Sequence, residues 1–537
     1  MTIPVNSFTW LLAALPIIVL LILMVKFQWG ADKAAPVGLI ISFLSAITVY
    51  KSSLYLILLE SLKGIWTSVT VLLIVWTAIL LYEVVNEAKA FEVFKHGMQK
   101  VTPNELLQVL IFGWIFISFL MGITGFGVPV AIGAPLLVGI GVAPIWAVFI
   151  PLIGHAWGNT FGTLGVAWDG LVVQTGIGDN PELLLKTALW AALFIWIWNF
   201  ISGLAICWFY GKIEALKKGL PAVILISLIQ GGGQLIMSQI NPTLAAFIPS
   251  SVALIVVLFL GRTKMYGSEW HVENSRIMDR SKTEEGAVNY PKDMKINQAF
   301  LPYYLLTVIT LFVLLVKPVK SFLGQVSIGF SFPETSTGYG FVNVALEKFA
   351  PFAPFTHAAV FLALSSLIGY LYYKKNNWIE DGGGKRVIKK SLEKTIPSGL
   401  AVIGFIIMSR IMGGTGQTIV LAEGMSSVFG KEFVLLSPVV GMLGSFMTSS
   451  NLASNILFGD FQLSAAKILN LDPALLLAAQ TAGGAIGNTI CPGNIILGTT
   501  TAGILGQEGI VLKKILPITV FAALIIGVIM YSVLIVF

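Results

Sequence analysis

Long apolar runs, most of them near 20 residues and separated by short polar loops, dominate the chain from end to end. A segment must be about that long to cross the hydrocarbon of a bilayer as a helix, and there every backbone N–H and C=O has to be satisfied within the segment. On this criterion single spans are predicted at 10–26, 35–50, 65–82, 183–209, 220–238, 243–260, 299–316, 355–373, 396–412 and 512–536. The first lacks a basic leader and a small-residue cleavage site, so it is expected to be retained as a span. Between these clean runs lie apolar segments interrupted by Gly, Pro and small polar residues. With them the expected total is roughly 12–14 membrane segments.

Basic residues orient the pattern. Seven Lys/Arg fall in 261–298 and seven in 374–394, so both loops are expected in the cytoplasm under the positive-inside rule, as is the short basic loop Lys212–Lys218. Counting spans back from these loops puts both termini outside. The net charge of +7 sits in such loops and points to membrane topology rather than to nucleic acid. Hydrophobic residues make up 56% of the chain and charged ones 11%, against roughly 25% charged in a soluble domain. No polar stretch is long enough for a separate soluble domain, and one membrane domain over 1–537 is expected. Cys207 and Cys491 lie in distant apolar segments and read as small buried residues, not as a disulfide or metal framework.

The chain also repeats itself. Laying Pro144 onto Pro473, an offset of 329, matches Gly154 with Gly483, Ala156 with Ala485, and Gly158-Asn159-Thr160 with Gly487-Asn488-Thr489. The same offset carries the span 65–82 onto 394–411 and 183–208 onto 512–537. With the predicted topology the span at 65 runs inward and that at 396 outward, which predicts inverted copies, an arrangement common in secondary transporters. The organisation expected is N-terminal spans in 1–54, a first repeat in 55–210, connecting spans in 211–383 and a second repeat in 384–537. The fold class expected is therefore all-α and polytopic, with two inverted-topology repeats containing discontinuous helices or re-entrant hairpins.

Four interrupted segments carry the candidate chemistry: Gly122–Pro129, Gly158–Thr163, Thr448–Asn455 and Gly487–Asn494. A helix broken at membrane depth presents unpaired N–H groups at its new N-terminus, beside the positive end of its dipole, and a carboxylate fits there without a basic side chain. The expected substrate contacts are Asn159, Thr160, Ser449, Ser450, Asn451, Asn455, Asn488 and Thr489, with the backbone around Gly122, Thr124, Gly125, Phe126, Gly127 and Gly487. His155 and Asp169 flank the first Gly-Asn-Thr and are the candidates for coupling to a proton or sodium ion, since an ionisable group in a span is costly to place there. Arg410, late in its span, either offers a positive charge to an anion or snorkels to the interface. Asp460 and Lys467 read as a solvated face. There is no H-E-x-x-H, no P-loop and no T-V-G-Y-G filter, which disfavours a zinc enzyme, an ATP-driven pump and a potassium channel. The four histidines, His96, His155, His271 and His357, are dispersed, and no cofactor is expected.

At these same segments the chain resembles the lactate permease family of bacterial carriers of L-lactate, D-lactate and glycolate. The resemblance spans nearly the full length and is sharpest at Gly125–Ile132, Ser454–Gly459, Leu475–Ala479 with Gly483-Gly484, and Ala502–Glu508. It implies a multi-pass carrier in the bacterial cytoplasmic membrane that moves a small 2-hydroxymonocarboxylate, lactate or glycolate, by cation symport, with a proton the usual coupling ion. The alternative is a sodium-coupled carrier of another organic anion. Three positions depart from the family pattern: Met121 stands in place of Glu, Asn451 in place of Asp and Asn488 in place of Lys. His155 stands where the family has Asn.

Overall fold

The computed structural model describes residues 3–27, 29–99, 102–125, 127–280 and 291–536. Phe126, one of the expected contacts, and 281–290 of the predicted cytoplasmic loop lie outside the described residues.

The chain opens with α1 (Ser7–Leu21), whose N-terminal Asn6 accepts from the Phe8 and Thr9 amides, and α2 (Ala31–Thr48). The first half follows as α3 (Leu54–Glu87), α4 (Ala90–Gln99), α5 (Glu105–Leu110), which runs through a wider π turn into α6 (Phe116–Ile123), then α7 (Val128–Val138), α8 (Pro144–His155), α9 (Gly162–Thr175) and α10 (Pro181–Ser227). At Gly211 and Lys212 the backbone of α10 leaves helical values, with Lys212 at φ +49, and this break separates the two spans predicted at 183–209 and 220–238. The connecting region holds α11 (Gly233–Ile240), α12 (Phe247–Leu260), α13 (Ile296–Ala299), α14 (Leu301–Leu315), α15 (Lys317–Leu323), four short strands and α16 (Ala358–Lys375). The second half is α17 (Gly383–Gly414), α18 (Gln417–Phe429), α19 (Phe433–Thr448), α20 (Asn451–Ile468), α21 (Pro473–Gly487), α22 (Pro492–Thr501) and α23 (Glu508–Val536).

Among the described residues eight helices are long and apolar enough to cross a membrane, or nine if the bent pair α14 and α15 counts as one span. The expected further segments are shorter apolar helices, including α1, α7 and α8. Prolines explain several of these starts. Pro144, Pro181, Pro473 and Pro492 sit in the first turn, where a missing N–H costs nothing and the fixed φ suits a helix. Side chains with large exposed apolar surface, such as Leu54, Phe259, Val308 and Ile535, form the face a bilayer would cover.

The element order of the two halves corresponds at the sequence offset. α3 and α17 begin at residues 54 and 383, and α8 and α21 at 144 and 473. The remaining pairs are α4 with α18, α5–α6 with α19, α7 with α20, α9 with α22 and the first part of α10 with α23. Their packing is reciprocal: α9 lies on α20 while α22 lies on α7, and α10 lies on α21 while α23 lies on α8. α3 and α17 pack on each other. At one end of this pair Glu83 and Glu87 meet Lys394 (2.5 Å) and Arg386 (2.6 Å), and near the other end Glu60 and Lys63 pair at 2.6 Å while nearly fully buried.

The segment 328–352 departs from an all-helical fold. β1 (Ile328–Phe332) pairs antiparallel with β4 (Leu346–Phe352), and β2 (Thr335–Ser336) with β3 (Val342–Asn343). Alternating aromatics explain its docking: Trp66 of α3 donates to the Ala350 carbonyl and meets Phe330 and Phe352 edge-on, while Lys63 lies over Phe332 and Phe349. Asn343 donates to the Gly414 carbonyl at the end of α17.

Candidate functional site

The four interrupted segments meet. α6 ends at Ile123 and α7 begins at Val128. Between them Gly125 and Gly127 take φ of +54 and +80, values that a side chain disfavours. A Cβ at Gly125 would collide with Thr163 Oγ1, and one at Gly127 would lie 3.0 Å from Asn494 Oδ1. Thr163, Leu164 and Gly165 are all left-handed, at φ +50, +52 and +82, so the regular part of α9 starts only at Val166. Ser449, also left-handed at φ +56, separates α19 from α20, and Ser450 caps α20 through the Ala453 amide. α21 ends at Gly487 and α22 begins at Pro492. Non-glycine residues in the left-handed region cost of order 1–3 kcal/mol each, and such strain gathers at functional sites.

The N-terminal ends of α7, the regular part of α9, α20 and α22 border one small cavity of about 30 Å³, lined by residues of both halves that include Gly127, His155, Asn159, Ser450, Asn451 and Asn494. That is room for two or three waters at about 10–15 Å³ each. From the second half Ser449 and Asn488 also reach it, together with Met121, Thr163, Val166, Ala167 and Leu452. Among the described residues no carboxylate lines it.

The two halves touch directly at the cavity wall. His155 is buried, its Nδ1 lies 2.7 Å from the Pro151 carbonyl and its Nε2 lies 3.3 Å from Asn488 Oδ1. With Nδ1–H donating to the carbonyl, Nε2 is left as an acceptor facing an amide oxygen; a second proton on the ring would turn that contact into a hydrogen bond. Asn494 Nδ2 donates to the same Asn488 oxygen at 2.6 Å. Asn159 donates to the Ala156 carbonyl at 3.2 Å and faces the Ala485 carbonyl at 3.5 Å. Ser449 Oγ accepts from the Gly493 amide at 3.2 Å. Asn451 is different. It is 3% exposed, and neither its Nδ2 nor its Oδ1 has a hydrogen-bond partner among the described residues. A buried amide with both ends unpaired costs about 1–3 kcal/mol per group.

Other expected contacts lie outside the cavity wall. Thr160 and Thr481 join α9's approach to α21 (Oγ–Oγ 3.2 Å), and Asn455 donates to Thr481 Oγ1 and the Ala167 carbonyl, both at 2.9 Å. Thr489 bonds Thr519 at 2.9 Å, and Thr124 Oγ1 donates to Leu120. Gly122 and Gly487 allow close packing, on Phe247 and on the Met442 backbone. Asp169, half-buried on α9, is not in the wall. Nor is Arg410, whose guanidinium lies over the Phe349 ring at 4.6 Å. Asp460, read from sequence as part of a solvated face, is instead half-buried and accepts from Gln174 Nε2 at 2.5 Å. Of the wall residues not singled out from sequence, Asn494 and Thr163 fall within the interrupted segments. Asn494 had a usable signal, since it follows Pro492 in the first turn of a half-helix.

Among solved structures the chain is similar to the YdaH transporter of Alcanivorax borkumensis, at 13% identity and a TM-score of 0.45 over 85% of this chain and 84% of that one. Among characterised sequences it is 28% identical to an L-lactate permease of Halalkalibacterium halodurans, covering 94% of this chain and 93% of the relative. It is 27% identical to the L-lactate permease of Escherichia coli and 26% identical to the glycolate permease GlcA of the same organism, each over 97% of this chain and 94% of the relative. The family model described as L-lactate permease matches residues 9–537, so the chain belongs to the L-lactate permease family, membrane transporters rather than enzymes.

Proposed function

We propose that the protein carries a small 2-hydroxymonocarboxylate, lactate or glycolate, across the bacterial cytoplasmic membrane by cation symport, with a proton as the coupling ion. The observation that carries the reading is the convergence of four half-helix N-termini, two from each half, on a cavity with no acidic side chain among the described residues. Each N-terminus contributes the positive end of its helix dipole, roughly half a charge, and together these favour a carboxylate. The unpaired amide of Asn451 supplies both a donor and an acceptor for the carboxylate and the 2-hydroxyl, and Asn488, Asn159 and Ser449 complete a polar rim. The names of the relatives agree with this cargo.

The reciprocal packing of the halves is what a pseudo-two-fold relation produces, and it supports the inverted-repeat reading. At about 30 Å³ the cavity must widen to take a three-carbon acid, and separation of the α7–α22 pair from the α9–α20 pair would do so. His155 and Asp169 are proposed to respond to the coupling ion, and Arg410 to attract the anion from outside the cavity. Radiolabelled lactate and glycolate uptake into proteoliposomes tests the reading. Uptake driven by an inward proton gradient is expected. Absence of uptake under both proton and sodium gradients would overturn it.

A further inference from the structure

A carboxylate outside the cavity has surroundings that substrate binding does not use. Asp460 lies on α20 nine residues beyond Asn451, about 13 Å of helix rise from the cavity. Its partner Gln174 is on α9, 4% exposed, and the Gln174 Oε1 has no hydrogen-bond partner. Arg410 of α17, Glu60 of α3 and Lys467 on its own helix lie within electrostatic reach of Asp460 without an ion pair to it among the described residues, and Glu60 is paired with Lys63 at 2.6 Å. Arg410 Nε is buried without a hydrogen-bond partner. Of the remaining helices packed on α20, α19 and α21 have no titratable side chain, α18 has Glu423 and α9 has Asp169.

We propose that Asp460, midway along α20, is a proton-coupling carboxylate, bonded to Gln174 near the far end of α9 and with Arg410 as the nearby positive charge. The proposal rests on the carrier reading above. A primary amide suits both protonation states: its N–H donates to the ionised carboxylate, and after a half-turn its free oxygen accepts from the protonated one. The two helices come from different halves and both start at the cavity. Leu171, Gln174 and Thr175 of α9 pack against Gly459, beside Asp460, so a change at this contact acts on the α9–α20 interface itself.

The charge arithmetic gives the coupling its sign. Ionised Asp460 offsets Arg410; taking up one proton on the carboxylate oxygen leaves the guanidinium uncompensated. A monocarboxylate about 13 Å away then binds about tenfold more tightly at an effective dielectric of about 20. By reciprocity the bound anion strengthens proton binding by the same factor. One proton and one anion enter from one side and leave on the other, and no net charge moves.

The test compares accumulation with exchange in proteoliposomes. Under an inward gradient of about one pH unit the parent protein is expected to accumulate lactate about tenfold. Asp460→Asn is expected to equilibrate lactate to a ratio of about one while retaining lactate–lactate counterflow, and Asp460→Glu to restore accumulation. Parent-like accumulation by Asp460→Asn overturns the proposal. So does loss of counterflow together with accumulation in a variant that keeps the parent's elution profile, because the residue would then belong to the substrate path. Failure of the parent itself to exchange lactate would overturn the carrier reading instead, so the two failures are read from different proteins.

Discussion

Asn451 allows stability and function to be separated at one side chain. In most buried positions removing an amide breaks hydrogen bonds and destabilises the fold, leaving partners unpaired. Here nothing is broken, because both amide atoms lack partners and the side chain already borders a cavity. The capping of α20 belongs to Ser450 and is untouched. Asn451→Ala removes a buried polar group whose isolation costs about 1–3 kcal/mol, and gives back the small packing contribution of three atoms. The ligand-free variant is therefore expected to melt at the parent's temperature or slightly above it.

Binding should move the other way. A hydrogen bond to a charged group contributes about 1.5–3 kcal/mol, so losing one contact to a bound carboxylate weakens lactate binding about 10- to 150-fold. Thermal melting of the purified protein across a lactate titration reads both quantities. The parent's melting temperature rises with lactate by mass action, and the same rise in Asn451→Ala requires at least tenfold more ligand. A variant that melts well below the parent without ligand, yet shows an unchanged lactate response, would refute the reasoning on both counts.

Other perturbations give equally distinct outcomes. Glu60→Gln strands the buried Lys63 ammonium and is expected to cost about 3–5 kcal/mol, whereas Glu60→Met with Lys63→Leu should be near neutral; melting of the three proteins checks this, and equal loss in single and double variants would contradict it. Gly125→Ala forces a side chain to φ +54 and against Thr163 Oγ1, so initial uptake should fall at least tenfold, and an unchanged rate would show that the break at Gly125 is not needed. Thr489→Val removes the bond to Thr519 outside the cavity wall, costing about 1 kcal/mol of stability with KM for lactate within about twofold of the parent; a larger KM change would place Thr489 in the substrate path.

Helix positions were legible because membrane spans declare themselves by length and apolarity, and Pro144, Pro473 and the two Gly-Asn-Thr stretches mark helix starts and ends at corresponding places in the chain. The interrupted segments were legible as places where the backbone must break. Which residues face inward was not, since a break does not determine how the next helix is aimed. Asn159 and Asn488 reach the cavity while their neighbours Thr160 and Thr489 turn to Thr481 and Thr519. The strands at 328–352 were hidden because they are short and broken up by Gly and Pro. Asp460 was misread for a related reason: a carboxylate and a lysine seven residues apart look like a solvated face until the second half's helix is seen lying against Gln174 of the first.

The departures at Met121, Asn451 and Asn488 acquire a common meaning once the cavity is in view, because all three line it. The family pattern would place Glu, Asp and Lys there; this chain leaves only neutral groups around His155. A neutral wall fed by four helix N-termini holds an anion without a competing carboxylate, but it removes from the cavity the acids that would carry a proton. Besides His155, coupling can then use an ionisable group in contact with the helices that border the cavity and away from the substrate, which is the position proposed for Asp460. Restoring the family's charges tests this logic. Met121→Glu places a carboxylate against the anion site, and at about 4 Å and an effective dielectric of about 20 the repulsion is about 4 kcal/mol unless the carboxyl is protonated. Lactate uptake by that variant should therefore fall steeply as pH rises, with the parent's profile flatter over the same range. Parallel profiles would mean that the neutral wall is not what distinguishes this protein.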